Sequence, residues 1–205
     1  MCQGGVDNVA NFFRFVADTL LNEGYGFDAP LEMPQAGLYR PDWTPAVAPG
    51  TPTIGVVFYR AHALSGNTEF VDVLCDEIRS AGGDPLPVYC YSLRPDEDGN
   101  VPALGLLDGK VDGLIVTVLA SGASASSVDW GEWTDWQVPR LSSLGVPVVQ
   151  GVCAATSRQQ WQESAAGLRP LDVATQVAIP EFDGRVISAA FSFKEPLGEG
   201  SDVLV

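Results

Sequence analysis

The sequence predicts an α/β fold: a mostly parallel open sheet with helices on both faces, in flavodoxin-like or Rossmann-like layers, preceded by an N-terminal helix and a proline-rich segment. Three observations carry that expectation. Residues 53–59, 86–91, 113–120 and 146–152 are short, nearly continuous apolar runs rich in β-branched and aromatic side chains, the composition of strands covered on both faces. Between the first two runs Phe70, Val71, Leu74, Cys75 and Ile78 recur at helical spacing. The strand-helix-strand order that results, repeated along the chain, calls for parallel pairing with right-handed crossovers.

The elements follow in order. Residues 1–25 are an N-terminal helical segment: over 8–23, Val9, Phe12, Phe13, Val16, Ala17, Leu20 and Leu21 form one apolar stripe, and Gly24 stops it. Residues 26–52 are a proline-rich linker. Pro30, Pro34, Pro41, Pro45, Pro49 and Pro52 remove donors at a density that excludes regular structure, so an extended segment is expected there. Residues 53–205 form the α/β domain. Its first strand runs into Arg60, His62, Ser65, Gly66 and Asn67, a polar loop in which Asn67 is the expected N-cap of a helix over 68–81 that ends at Gly82 and Gly83. After strand 86–91 come a polar loop around Pro95, a short helix near 102–107, strand 113–120 and a Ser/Gly/Ala stretch at 121–127. A helix near 131–143, strand 146–152, helices near 157–166 and from Pro170 onward, and a last strand at 186–193 complete the pattern.

A length of 205 residues suits one sizeable core. With 46% hydrophobic and 18% charged residues the chain has the composition of a folded protein. Its formal charge of −15 repels phosphate backbones and anionic lipid surfaces, which argues against nucleic acid or a membrane as partner. Cys2, Cys75, Cys90 and Cys153 form no CxxC pair, so free thiols in a reducing cytoplasm are expected. The longest apolar run, residues 114–120, is far too short to span a bilayer, and no basic leader with an apolar core is seen; a soluble, cytoplasmic protein is expected.

On a parallel sheet one edge collects Arg60, His62, Ser65, Asn67, Ser92, Arg94, the stretch beginning at Ser121, and residues 153–157, which is where open α/β sheets bind ligands. His62, the single histidine, serves equally well as ligand, base or packed ring. Glu181 and Asp183 lie two residues apart in Pro180-Glu181-Phe182-Asp183-Gly184; in extended backbone that spacing points both carboxylates to one side, to share a metal ion or a proton, and the alternative is a solvated Asp-Gly turn. Trp130, Trp133 and Trp136 recur every three residues along one helix side, suited to packing or to stacking on a flat ligand. Gly151-Val152-Cys153 has some likeness to a nucleophile elbow but lacks its second glycine. Lys110 and Lys194 are the only lysines, and neither stands in a GxxxxGK[ST] loop, so ATP is not expected to bind this chain.

The runs FYRAHALSGNTEFVDVLCDEIRSAG and LPVYCYSL, followed by SRQQWQESAAG, LDVATQVAIPEFDG and SFKE in that order, resemble the large subunit of the aerobic, ATP-dependent cobaltochelatase, a relative of the magnesium chelatase H subunit. The family's large subunits are several-fold longer, so the chain resembles one slice of such a subunit. The resemblance implies insertion of Co(II), the substrate metal, into hydrogenobyrinic acid a,c-diamide in cobalamin biosynthesis. It implies that ATP and Mg(II) are bound by partners, an AAA+ ATPase subunit and its metal-binding-domain companion subunit. It also implies roles for particular residues: Glu181 as base or transient metal ligand, His62 as metal ligand or proton acceptor, Asp183 as support. Arg60 and Arg94 would pair with substrate carboxylates, with Ser65, Asn67 and Ser121 lining the same edge. Two ring N–H protons must leave as the metal enters, which suits carboxylate and imidazole bases. The rival readings are magnesium insertion into protoporphyrin, a non-catalytic α/β ligand-binding domain, and a thiol hydrolase or amidotransferase built on Cys153 and His62.

Overall fold

The computed structural model describes residues 4–44, 50–96, 98–119, 140–198 and 201–204. Its centre is a sheet of five parallel strands with a short antiparallel strand at each edge. In chain order these are β1 (Ala36–Leu38), β2 (Thr53–Tyr59), β3 (Asp84–Cys90), β4 (Gly113–Val116), β5 (Val148–Ala154), β6 (Val186–Gly198) and β7 (Ser201–Leu204). The spatial order is β1-β3-β2-β4-β5-β6-β7. Without the two edge strands it is the 2-1-3-4-5 order of the flavodoxin-like fold, and the direction of winding reverses between β2 and β4. The expected parallel α/β sheet is therefore present.

The helices are α1 (Val6–Val16), α2 (Arg60–Ser65), α3 (Glu69–Ser80), α4 (Pro102–Leu107), α5 (Arg158–Glu163), α6 (Pro170–Val173) and α7 (Ile179–Phe182). Each sheet face is closed by its own set. On one face Val56 and Phe58 of β2 pack with Phe70, Val71, Cys75 and Ile78 of α3. On the other, Val57 joins Leu86 and Val88 of β3, Leu114 and Val116 of β4, and Ala103, Leu104 and Leu107 of α4. Burying each large side chain in these layers is worth about 1.5–3 kcal/mol, which is why the strands read as unbroken apolar runs. Gly55 lets β2 and β4 close: a Cβ there would stand 2.5 Å from Leu114 Cδ2 and 3.0 Å from Leu107 Cδ2.

Several local expectations differ from what is found. The stretch after β2 is not an open loop but the helix α2, which closes with the amides of Gly66 and Asn67 both donating to the His62 carbonyl. The N-cap of α3 is Thr68, not Asn67. The proline-rich stretch holds regular structure after all: β1 pairs antiparallel with β3 at Ala36↔Cys90 and Leu38↔Val88. Three residues between Pro34 and Pro41 suffice, because an edge strand needs donors on one side only. The same stretch is fastened by Tyr39, whose ring meets Phe58 edge-on at 5.4 Å and whose hydroxyl reaches Thr68 and Asp72, and by the 2.9 Å Arg40–Asp72 ion pair. The helix from Pro170 runs on through a wider π-helical turn at Ala174–Ala178 into α7, so Pro180 to Phe182 are helical and not extended. The hairpin strand β7 was not expected. Of the helix near 131–143 only a 3₁₀ turn at Arg140–Leu144 is described; Ser121, Trp130, Trp133 and Trp136 lie outside the described residues.

α1 contributes no buried residue. It continues through a π-helical turn at Ala17–Leu21, and the chain then folds back along it. Asp18 accepts the amides of Tyr25 and Gly26, Asn8 exchanges two 2.8 Å hydrogen bonds with the backbone of Leu31, and Phe15 meets Phe27 edge-on at 5.0 Å. Phe13 and Leu20 remain 64% and 75% exposed. No helix among the described residues is long and apolar enough to cross a membrane.

Candidate functional site

In a sheet of this winding the crevice for a ligand opens beyond the carboxyl ends of β2 and β4. The residues after β4, from 120 to 139, lie outside the description, and Ser121 with them. What is described is the frame around that crevice. The Tyr59 hydroxyl, at the end of β2, accepts the Leu119 amide at 3.0 Å, and Thr117 donates both its amide and its hydroxyl to the Val57 carbonyl. Burial pushes the Tyr59 phenol above its ordinary value, so it stays protonated.

His62 stands on α2, one turn beyond β2. Its ring meets Phe70 edge-on at 5.0 Å, and among the described residues no hydrogen bond holds either ring nitrogen. Burial pushes its pKa below the ordinary value, so the imidazole is neutral at pH 7 and keeps a lone pair for a metal ion or a proton. Arg60, expected to meet an anionic ligand, is occupied otherwise: Nη1 donates to the carbonyls of Met33 and Pro34 at 2.9 and 3.3 Å, and its guanidinium stacks 5.3 Å above Tyr91. It straps the proline-rich stretch to the sheet edge. Ser65 donates to the His62 carbonyl at the end of α2, and Asn67 follows it. Arg94 is exposed beside a cleft of about 590 Å³ lined by Gln35, Tyr91, Ser92 and Asp96.

Glu181 and Asp183 part company. Glu181 is exposed in the single turn of α7. Asp183, at the end of that turn, has a side chain with 0% exposure that pairs with Arg185 at 3.0 Å. Glu181 precedes the amino end of β6 whereas His62 follows the carboxyl end of β2, and among the described residues no contact joins them. No three His, Cys, Asp or Glu side chains cluster as a metal site among the described residues.

Among the described residues the buried polar groups are Thr117, Gln150, Asp172, Arg185 and Ser192, and sequence reasoning assigned none of them a role. The Gln176 amide forms a two-way pair with the backbone of Cys153, standing in for a neighbouring strand, and Asp172 accepts the Ala155 amide at 3.2 Å. Their i, i+4 spacing puts Asp172 and Gln176 on one side of the helix leading to Glu181, the signal that was available. Cys153 lies within β5 and not after it; burial pushes its thiol up to about 12, which removes the thiolate a hydrolase would need.

Comparison with known proteins places this frame. Residues 1–204 match the family described as CobN/Magnesium Chelatase. The aerobic cobaltochelatase subunit CobN of Pseudomonas aeruginosa is 29% identical over 200 residues, which are 94% of this chain and 15% of that protein. The subunit of the same name from Sinorhizobium is 37% identical over 145 residues, 70% of this chain and 11% of its own length. Among solved structures, the catalytic subunit of cobaltochelatase from Mycobacterium tuberculosis superposes with a TM-score of 0.81 at 43% identity, covering all of this chain and 17% of that one. The chain thus spans about a sixth of the structure it matches.

Proposed function

The chain belongs to the CobN/magnesium chelatase family, and from that premise we propose that it is the segment of a cobaltochelatase large subunit that frames the tetrapyrrole site. The reaction would be insertion of Co(II) into a corrin, hydrogenobyrinic acid a,c-diamide, in cytoplasmic cobalamin biosynthesis. The observation that carries this reading is the 43% identity, over the whole chain, to a cobaltochelatase catalytic subunit.

Chemically the step needs a metal ion stripped of water and two ring protons accepted. The neutral His62 imidazole is suited to hold Co(II), which takes nitrogen and oxygen donors together. Glu181 is the proposed base, and because it is exposed, the surface completing its site comes from the remainder of the large subunit. Asp183 has a supporting role. Arg60 and Arg94 are the proposed partners of substrate carboxylates, Ser65 and Asn67 lie on the edge that carries Arg60, and Ser121, outside the described residues, is proposed to join them. The proposed energy source is ATP with Mg(II), held by an AAA+ subunit and its companion, since neither lysine of this chain stands in a phosphate-binding loop.

The test is a chimera in which this chain replaces the matching segment of the mycobacterial subunit, supplied with partner subunits and assayed for ATP-dependent cobalt insertion. Restored turnover that falls about 10² to 10⁴-fold with Glu181→Gln, at unchanged corrin affinity, is the expected result. A chimera that inserts no cobalt overturns the reading. One that inserts magnesium into protoporphyrin instead supports the family's other branch, which the family description favours equally.

A further inference from the structure

Arg185 is 4% exposed, and nothing in the chelatase chemistry uses it. Its guanidinium joins three separate parts of the chain. Nη2 binds Asp183 at 3.0 Å, two residues from Glu181. Nη1 donates to Gln150 Oε1 of β5 at 2.7 Å and to the Val118 carbonyl, just past β4, at 2.8 Å. Gln150 is itself 0% exposed. Nε has no partner among the described residues. The next residue after Val118 is Leu119, whose amide is held by Tyr59 at the end of β2.

The exit of β4 is therefore gripped from two sides, by a neutral hydroxyl from β2 and by a cation arriving from the start of β6. Both side chains of the Asp183–Arg185 pair have 0% exposure. A carboxylate so enclosed is closed to an incoming hydrated metal ion, and removing it would strand a buried positive charge.

We propose that Arg185 is a positioning residue that clamps the exit of β4, at the winding reversal, to the turn carrying Glu181, and that Asp183 acts as its counter-ion rather than as a metal ligand or proton acceptor. The proposal rests on the chelatase reading only in taking that crevice as the substrate's place.

Asp183→Asn alone leaves Arg185 charged and unpaired and is expected to misfold, so the test uses the neutral double variant Asp183→Asn/Arg185→Met, with Arg185→Lys beside it. On the 205-residue chain, amide hydrogen exchange is read at Leu119 and, as core references, at Val57 and Val71. The double variant should exchange at Leu119 about tenfold or more faster with the references unchanged, and Arg185→Lys should fall between it and the parent. Titration with Co(II) alone should give the same affinity for parent and double variant. Unchanged protection at Leu119 in the double variant overturns the clamp. Co(II) affinity weakened tenfold or more in the double variant, with protection of the references intact, overturns the counter-ion role and makes Asp183 a ligand. A parent chain with no measurable Co(II) affinity counts against the proposed metal site alone, and the exchange comparison still decides the clamp.

Discussion

The Tyr59 hydroxyl accepts the Leu119 amide at 3.0 Å, joining the ends of β2 and β4 across 60 residues of sequence. Tyr59→Phe should therefore destabilise the chain by about 0.5–1.5 kcal/mol, the net worth of one such hydrogen bond, and speed exchange at Leu119. Equal urea midpoints for the two proteins would show that water replaces the phenol at no cost.

Because His62 is the only histidine, its protonation can be followed without interference. Its folded pKa lies below the unfolded value of about 6.5, so the unfolded chain binds the proton more readily. The stability due to the neutral, packed ring is full above that unfolded value and is lost as pH falls through the folded one. Urea unfolding at pH values falling below about 6.5 should show this loss, and His62→Gln should remove it. A slope that persists in the variant would assign the effect to carboxylates.

Alkylation tests the thiol-hydrolase alternative directly. With Cys75 pushed up to about 11 and Cys90 and Cys153 to about 12, iodoacetamide at pH 8 should leave all three unmodified in the native chain and label them after unfolding. Rapid native labelling of Cys153, read by peptide mass spectrometry, would restore that alternative.

The arm formed by α1 and the returning chain exposes Phe13 and Leu20, while no residue of α1 is buried. Phe13→Ser with Leu20→Ser should leave the unfolding midpoint unchanged within the roughly 0.5 kcal/mol of ordinary surface substitutions. Binding of the dye ANS should fall markedly. A large loss of stability would show that the arm is packed into the core.

Sequence alone determined the five central strands and their parallel sense, because an apolar period records how deeply each residue is buried and little else. It also carried the family, through several motifs in a fixed order. The errors were of one kind: α2 was read as loop from its polar residues, β1 was hidden by flanking prolines, and Pro180 to Phe182 were read as extended although they end a helix begun ten residues earlier. In each, a local signal was outweighed by what the segment packs on. Which partners meet was decided by tertiary structure. Arg185 reaches a carbonyl 67 residues away and Gln150 at 35, and nothing in the local pattern of Asp183-Gly184-Arg185 distinguishes a buried clamp from a solvated turn. Glu181 and Asp183 share one motif yet end on opposite sides of the surface, one in solvent and one enclosed, because the helix turn rotates them apart and only the enclosed carboxylate finds a cation to offset its burial.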